Sequence, residues 1–434
     1  MMAEARAREE ARGVRNLETF VAEQQRLLGL EREAEIAEAR LLQGEASLRS
    51  LCHAGLALQR LQVEGEATGL YGRTLVKVVP QLPALELPSH SLGPGDIVAV
   101  RGLPPSDSPP PSGVVTKATA RSLTVAFEEV AEQLAPEDRG RGLGLVKLAN
   151  DVTHRRLTTA LSSLLAAPPS SLVSVLLGQA APSTPHQTPP PACSTDGVRE
   201  VLDQSLDASQ REAADFCLLQ REVGVVHGPP GTGKTTTLVE VVRQEVRAGG
   251  RVLVCAPSNV AVDNLLDRLH RMKVRVVRLG HPARASPELQ PLSLDARIAG
   301  SEEGALVRDV YKELDSALKG GKKMRSEVKE LRKELREREK KAIRQILSRA
   351  EVVLGTLTSC SPHGPLKHLP PDHMTLTVVD EASQALEAAC WIVALTSKRL
   401  VLLLLTVLLS SPRCWAVTTF SSPPPSSRES QGWS

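Results

Sequence analysis

The sequence predicts an α/β fold. A parallel sheet surrounds a phosphate-binding loop, and a small β-barrel on a helical stalk and a charged helical insertion are added to it. Three observations predict this. The β-branched run Val223–His227 leads into Gly228-x4-Gly233-Lys234-Thr235, and a helical stretch follows from Thr236. Strand, loop and helix in that order are what such a motif needs. Two further apolar runs end in functional residue types: Arg251–Ala256 before Pro257-Ser258-Asn259, and Thr375–Val379 before Asp380-Glu381. Finally, several short strand-like runs with turn signals lie between 70 and 127, flanked by helical stretches.

Whole-chain properties narrow the class. At 434 residues the chain has room for two or three domains. The net charge is only +3, so any nucleic-acid footprint must be a local patch. Aromatic residues make up 2% of the chain, which leaves few platforms for base stacking. Seven cysteines occur without a C-x-x-C pair, as expected in a reducing compartment without a disulfide framework. The first residues carry charges of both signs and no apolar core, unlike a secretory signal. The most apolar run, Leu400–Leu409, falls far short of the ~20 residues that span a bilayer.

In chain order, residues 1–61 read as a helical stalk. Phe20, Leu27, Ala34, Leu41 and Leu48 are seven apart, with Leu30, Ala37 and Leu51 in a second register. Residues 62–148 read as the barrel, with strands at Leu70–Val79 and Asp96–Val100 and a hairpin from Gly113–Thr119 and Ser122–Phe127. Such a barrel either grips nucleic-acid backbone or is a passive spacer. Residues 149–180 read as the returning stalk helix, and 181–199 as a Pro-rich linker that separates these arms from the nucleotide-binding core. That core is placed at 200–400, with a charged helical insertion at 283–349 and a divergent, disordered tail at 401–434. Within the insertion, Lys319–Arg344 carries twelve Lys and Arg against five Glu. The ordinary reading is a solvated helix face on a seam of Val328, Leu331, Leu335, Ala342 and Ile346. The excess of seven positive charges also makes it the best backbone-binding patch in the chain. Cys360, His363, His368 and His373 are too irregularly spaced for zinc and read as a loop.

The chemistry is concentrated in the loop. Gly228, Gly231 and Gly233 let the backbone fold so that N–H groups form an anion nest, Pro229, Pro230 and Thr232 complete the same binding loop, and the helix N-terminus adds its positive end. Lys234 would reach the β- and γ-phosphates, and the Thr235 hydroxyl would ligate Mg²⁺. Asp380 would hold the same Mg²⁺, and Glu381 would orient and deprotonate an attacking water. An Asp-Glu pair is common by itself; its weight comes from ending an apolar strand downstream of the loop. Asp203, Asp207 and Asp263 end no such strand. The Gln210 amide can donate and accept together, which suits an adenine edge.

Together Gln210, GPPGTGKTT, CAPSNVAVDNL and VVDEASQALE resemble the Upf-like branch of superfamily 1 helicases. TGLYGRTLV, VKLANDVTHRRL, RLGHPAR and LRKELREREK are similar to its immunoglobulin mu-binding type. The resemblance implies RecA-like architecture, ATP and Mg²⁺ as cofactors, and 5′-to-3′ unwinding of RNA and DNA, single-stranded or duplex. It also implies a monomer without membrane association, cytoplasmic and nuclear location, and contact with ribosomes or the translation machinery. It makes Gln210 the adenine reader, and Gly231, Gly233, Lys234, Thr235 and Thr236 the phosphate and Mg²⁺ contacts. It makes Gln384 a γ-phosphate coupler, and Ser258, Asn259 and Thr356 contacts to the single strand. The family continues after about Leu400 with a second RecA-like domain whose arginines close the cleft. This chain reads differently there, so the expectation is a truncated member. Three functions are thus weighed: an ATP-driven helicase, a nucleotide- and nucleic-acid-binding module without turnover, and a coiled-coil adaptor. The adaptor leaves the order of phosphate loop and Asp-Glu strand unexplained.

Overall fold

The computed structural model describes residues 16–44, 48–68, 74–82, 86–93, 96–101, 111–127, 142–148, 151–166, 170–185, 201–228, 231–280, 284–319 and 325–405. Pro229 and Pro230 of the loop, most of the Pro-rich stretch and the chain beyond 405 lie outside them.

The barrel is closed, in the order β1-β2-β5-β4-β3-β6. Its strands are β1 (Ala57–Thr68), β2 (Thr74–Pro80), β3 (Ile97–Arg101), β4 (Ser112–Ala118), β5 (Leu123–Phe127) and β6 (Leu143–Lys147), all paired antiparallel. Inward positions alternate along the strands, so Leu58, Val76, Val98, Val115, Leu123, Val125 and Leu145 form one buried core. Its first strand begins at Ala57, so the stalk boundary at 61 is corrected. Leu58 and Leu61 are barrel residues, because closing the sheet onto β6 needs a long first strand.

The parallel sheet holds β7 (Val223–Gly228), β8 (Val252–Ala256), β9 (Val276–Arg278), β10 (Val352–Thr356), β11 (Leu376–Val379) and β12 (Leu400–Leu405). All pairings are parallel, in the order β7-β12-β11-β8-β10-β9. Both faces are covered, which accounts for the near-continuous apolar runs. Val252, Val254, Leu376, Val378, Val401 and Leu403 face one core, and Leu253, Cys255, Val353, Val379, Leu400 and Leu402 face the other. The tail boundary at 401 is therefore corrected. Leu400–Leu405 is a strand lying between the phosphate-loop strand and the Asp-Glu strand. An unbroken run of leucines suits a site buried on both faces.

Helices cover the two faces. On one lie α5 (Ala208–Leu219), α6 (Lys234–Arg247) and α7 (Asn259–Arg271). On the other lie α10 (Arg325–Arg349), α11 (Glu387–Ala394) and the stalk helices α1 (Leu17–Gly44) and α3 (Asp151–Ala166). Between them in sequence are α2 (Leu48–His53), α4 (Ser171–Leu176), α8 (Leu294–Ala299) and α9 (Glu302–Lys319). Two readings are corrected here. The stalk is not set apart from the core by the linker: Leu157, Leu161 and Leu164 of α3 share a cluster with α11, and the Phe20 ring packs tilted against Trp391, with centroids 5.8 Å apart and planes at 57°. Nor does α1 bury a heptad seam. Phe20, Val21 and Leu28 are buried, whereas Leu27 and Leu30 are 45% and 51% exposed. Packing at a straight helix's period of ~3.6 drifts off a seven-residue repeat, and α1 packs on α3 rather than on a coiled-coil partner. In α10 the expected seam holds at Leu335 and Ala342, with Ile343 and Leu347 added.

Two buried carboxylates tie loops onto this core. Glu222 accepts from the Ser183 backbone N–H at 3.1 Å and its hydroxyl at 2.5 Å, which fixes the start of the Pro-rich stretch. Glu240 of α6 accepts from the N–H groups of Leu202 and Asp203 at 2.8 and 3.1 Å, which fixes the approach to α5. Buried charges need such partners.

Candidate nucleotide-binding site

The loop after β7 is shaped by its glycines. Gly231 and Gly233 sit in the left-handed region at φ 82° and 75°, where a side chain would be strained. A Cβ on Gly228 would come within 2.9 Å of the Thr232 hydroxyl, and one on Gly233 within 2.4 Å of the Gln210 amide nitrogen. Gly233 caps α6, so the helix N-terminus opens where the loop ends. Lys234 Nζ donates to the carbonyl of Gly228 at 2.5 Å, folded back over the loop.

Gln210 is fixed at both ends of its amide. Asp207 caps α5 by accepting from the Gln210 backbone N–H at 2.9 Å, and Gln210 Oε1 accepts from the Asp207 N–H at 3.0 Å. This is a capping box, legible in Asp-x-x-Gln. The Gln210 Nε2 donates to the Thr232 carbonyl at 3.0 Å, so the predicted adenine reader is latched to the phosphate loop itself.

Asp380 and Glu381 lie at the C-terminal end of β11. Asp380 is 7% exposed, and its backbone N–H donates to the Cys255 carbonyl at 2.8 Å. Burial pushes its carboxyl above the usual carboxylate range. The Glu381 N–H, donated to Asp380 Oδ1 at 2.9 Å, opposes that, the Glu381 charge adds to it, and Lys234 and Arg268 oppose it. Glu381 itself is left-handed at φ 52°, a strained conformation for a residue with a side chain. Gln384 is exposed on the 3-10 turn that follows.

One cleft of about 550 Å³ gathers the threonine and the two acidic residues, whereas Gln210, Lys234 and Gln384 are not among its lining residues. Thr235, Asp380 and Glu381 line it together with Ala261, Asn264, Asp267, Arg268 and Arg271 of α7. Arg268 Nη1 donates to the Thr236 hydroxyl at 3.2 Å. The α7 wall was missed from sequence, although 261, 264, 268 and 271 fall on one helical face. A nest of glycines, a lysine at a helix start, and a threonine opposite a buried carboxylate fit a magnesium-bound triphosphate. The three competing aspartates are otherwise engaged. Asp203 accepts from Ser205, Asp207 caps α5, and Asp263 pairs with the buried Arg278 at 2.8 Å. Cys360 is buried in the core, and among the described residues no group of three or more His, Cys, Asp or Glu is placed to hold a metal ion.

The expected single-strand contacts lie farther along the same edge of the sheet, beyond β11. Thr356 ends β10 opposite Ala256 of β8, so Ser258, Asn259 and Thr356 all lie at the C-terminal edge of the sheet. Each also has a local partner. Ser258 caps α7 by accepting from the Ala261 N–H at 3.1 Å, Asn259 Oδ1 accepts from Arg278 Nη2 at 2.9 Å, and Thr356 shares a hydrogen with Ser359 Oγ at 2.7 Å.

Comparison with known proteins agrees with this site. An AAA domain family model matches residues 205–321 and 307–403, which contain the loop and the Asp-Glu strand. A second model, the 1B domain of helicase SMUBP-2/HCS1, matches 21–145, the stalk and barrel. The mouse DNA-binding protein SMUBP-2 is 46% identical over 400 residues, covering 89% of this chain. The chain belongs to the Upf-like family of superfamily 1 helicases. The DNA polymerase alpha-associated DNA helicase A of Schizosaccharomyces pombe is 34% identical over 80% of this chain, and a Drosophila melanogaster regulator of nonsense transcripts 1 homolog 34% over 42%. The chain spans 39% of the mouse relative and 54% of the fission-yeast helicase. Among the described residues, no helix is long and apolar enough to cross a membrane.

Proposed function

We propose that this chain carries the ATP-binding first motor domain of a 5′-to-3′ helicase acting on RNA and DNA. The observation that carries the reading is the meeting of Thr235, Asp380 and Glu381 in one cleft, brought about by β12 between their strands. Bound Mg²⁺ and ATP would supply a metal-bridged triphosphate for attack by water. Lys234 would neutralise the phosphates, Thr235 and Asp380 would hold the metal, and Glu381 would take the proton from the water. Gln210 would read adenine by exchanging its latch on the loop, and Gln384 would report the γ-phosphate. The C-terminal edge at Ser258, Asn259 and Thr356 would carry the strand. Family membership supports cytoplasmic and nuclear location, contact with the translation machinery and a monomeric state as parts of the same proposal. ATP hydrolysis by residues 1–434, stimulated by single-stranded RNA or DNA, together with strand separation on a 5′-tailed duplex, tests the reading. ATP turnover that no nucleic acid stimulates would overturn its motor half.

Two further outcomes are expected. Lys234→Ala removes a charge-assisted contact to phosphate worth ~1.5–3 kcal/mol, so nucleotide affinity should fall about ten- to hundredfold in calorimetric titration. The melting temperature of the nucleotide-free chain should fall by little, because the substitution removes one part-buried hydrogen bond to the Gly228 carbonyl and leaves the apolar core intact. Asp380 offers a pH signature. Its raised folded pKa means that, without metal, its contribution to stability is full in acid and lost as pH rises through that value. Mg²⁺ needs the carboxylate. The melting-temperature gain from Mg²⁺ and ATP should therefore shrink in acid before an ordinary aspartate would titrate. Asp380→Asn should lack that pH dependence.

A further inference from the structure

Arg268 stands out among the cleft residues because the motif assignments give it no role. It lies on α7, in the same domain as the phosphate loop, and it is exposed. Its neighbour on the cleft wall, Arg271, is committed to Asp267 at 2.9 Å. Among the described residues the Arg268 side chain forms no ion pair, and its one hydrogen bond is the 3.2 Å contact to the Thr236 hydroxyl, at the first turn of α6. The other walls define which end of a nucleotide it faces. Thr235 and Asp380 are the groups suited to a metal between the outer two phosphates, and Glu381 is the group suited to a water beyond the last one. A guanidinium on the remaining wall completes the enclosure of that terminal phosphate, and its planar fork matches two phosphate oxygens at once.

We infer that Arg268 contacts the terminal phosphate of a bound nucleoside triphosphate, so that the first motor domain distinguishes triphosphate from diphosphate by its own residue. On binding, the guanidinium exchanges the Thr236 hydroxyl for phosphate oxygens. A lysine at 268 would supply charge without the fork and should restore only part of the discrimination.

The inference rests on the nucleotide-site reading, and one experiment separates the two. The 1–434 chain, Arg268→Ala, Arg268→Lys and Lys234→Ala are titrated with fluorescent ATP and ADP analogues in Mg²⁺, with melting curves to verify folding. The expected result is that Arg268→Ala weakens ATP binding about ten- to hundredfold and ADP binding by no more than about twofold. Arg268→Lys should fall between Arg268→Ala and the parent chain, and Lys234→Ala should weaken both nucleotides. If Arg268→Ala weakens both nucleotides equally, or neither, while Lys234→Ala still weakens both, the inference is overturned and the site reading stands. If the parent chain binds neither nucleotide, both are overturned.

Discussion

Glu381→Gln is expected to leave ATP bound and to lower its hydrolysis by about 10²–10⁴-fold, the usual contribution of a positioned general base. The amide keeps the side chain's size and its place in the cleft, but it cannot take a proton from water. Folding should be unaffected, because the structural hydrogen bond at this residue is made by its backbone N–H to Asp380 Oδ1. The left-handed backbone at φ 52° is as accessible to Gln as to Glu. The variant should therefore separate binding from turnover. Equilibrium titration should give an affinity within about threefold of the parent chain, since one uncharged-for-charged change near a bound anion contributes ~0.6 kcal/mol or less at an exposed edge. Single-turnover hydrolysis should show the loss. Hydrolysis at the parental rate would remove Glu381 from the chemistry and leave Asp380 and Asp267 as the cleft's remaining carboxylates.

Arg399→Ala is expected to destabilise the motor by about 3 kcal/mol, the lower part of the range for orphaning a buried partner. The residue stands just before β12. Its Nη1 donates to both oxygens of Glu245 at 3.1 and 2.9 Å, its Nε to the Gln220 carbonyl at 3.2 Å, and its Nη2 to the Leu218 carbonyl at 3.2 Å. Glu245 is 4% exposed, and after the substitution it keeps Thr375 Oγ1 at 2.7 Å but no cation. The arginine thus ties the end of α5, the end of α6 and the entry to β12 into one corner. Since β12 separates the phosphate-loop strand from the Asp-Glu strand, loosening that corner acts on the cleft as well as on stability. A lower urea midpoint with an unchanged slope is the expected reading, and Arg399→Lys should recover the charge but only part of the loss. An unchanged midpoint would mean that β12 is held by its apolar pairing alone.

How far the sequence reveals this molecule depends on whether one residue's role is local. The phosphate loop is legible because its strand, its glycines and its helix are contiguous, and the structure keeps them in that order from Val223 to Arg247. Asp380 and Glu381 are legible because they end an apolar strand. What a linear reading lacks is adjacency. Leu400–Leu405 is an apolar run like any other until the sheet order places it between β7 and β11. Arg268 carries no motif and acquires meaning only when α7 forms the far wall of the cleft. The stalk shows the opposite error, where a repeat that is present in the sequence is not the one that packs. Leucines seven apart suggest a seam, yet Leu27 and Leu30 face outward, because α1 docks as one of several helices in a mixed core. Ser258 and Asn259 sit between the two cases. Their position at the sheet edge is as read, and their side chains also serve α7 and the buried Arg278.

Strand β1 of the barrel touches α9 of the insertion, so the two additions meet each other as well as the core. The barrel's hydrophobic interior makes it a rigid unit, and α3 carries that unit directly on α11. Arg156 of α3 also donates to the Thr358 carbonyl at 2.8 Å, in the turn that follows Thr356. The stalk is thereby joined to the edge proposed to hold the strand.

The loop at Gly228–Thr235 and the pair Asp380-Glu381 are proposed to form a single metal-dependent ATP site within this chain. Calorimetric titration of residues 1–434 with ATP, with and without Mg²⁺, tests it most directly. The expected result is one-to-one binding that strengthens with Mg²⁺, with the Mg²⁺ gain lost in Asp380→Asn and the binding itself weakened in Lys234→Ala. Binding that ignores Mg²⁺ and both substitutions would contradict it.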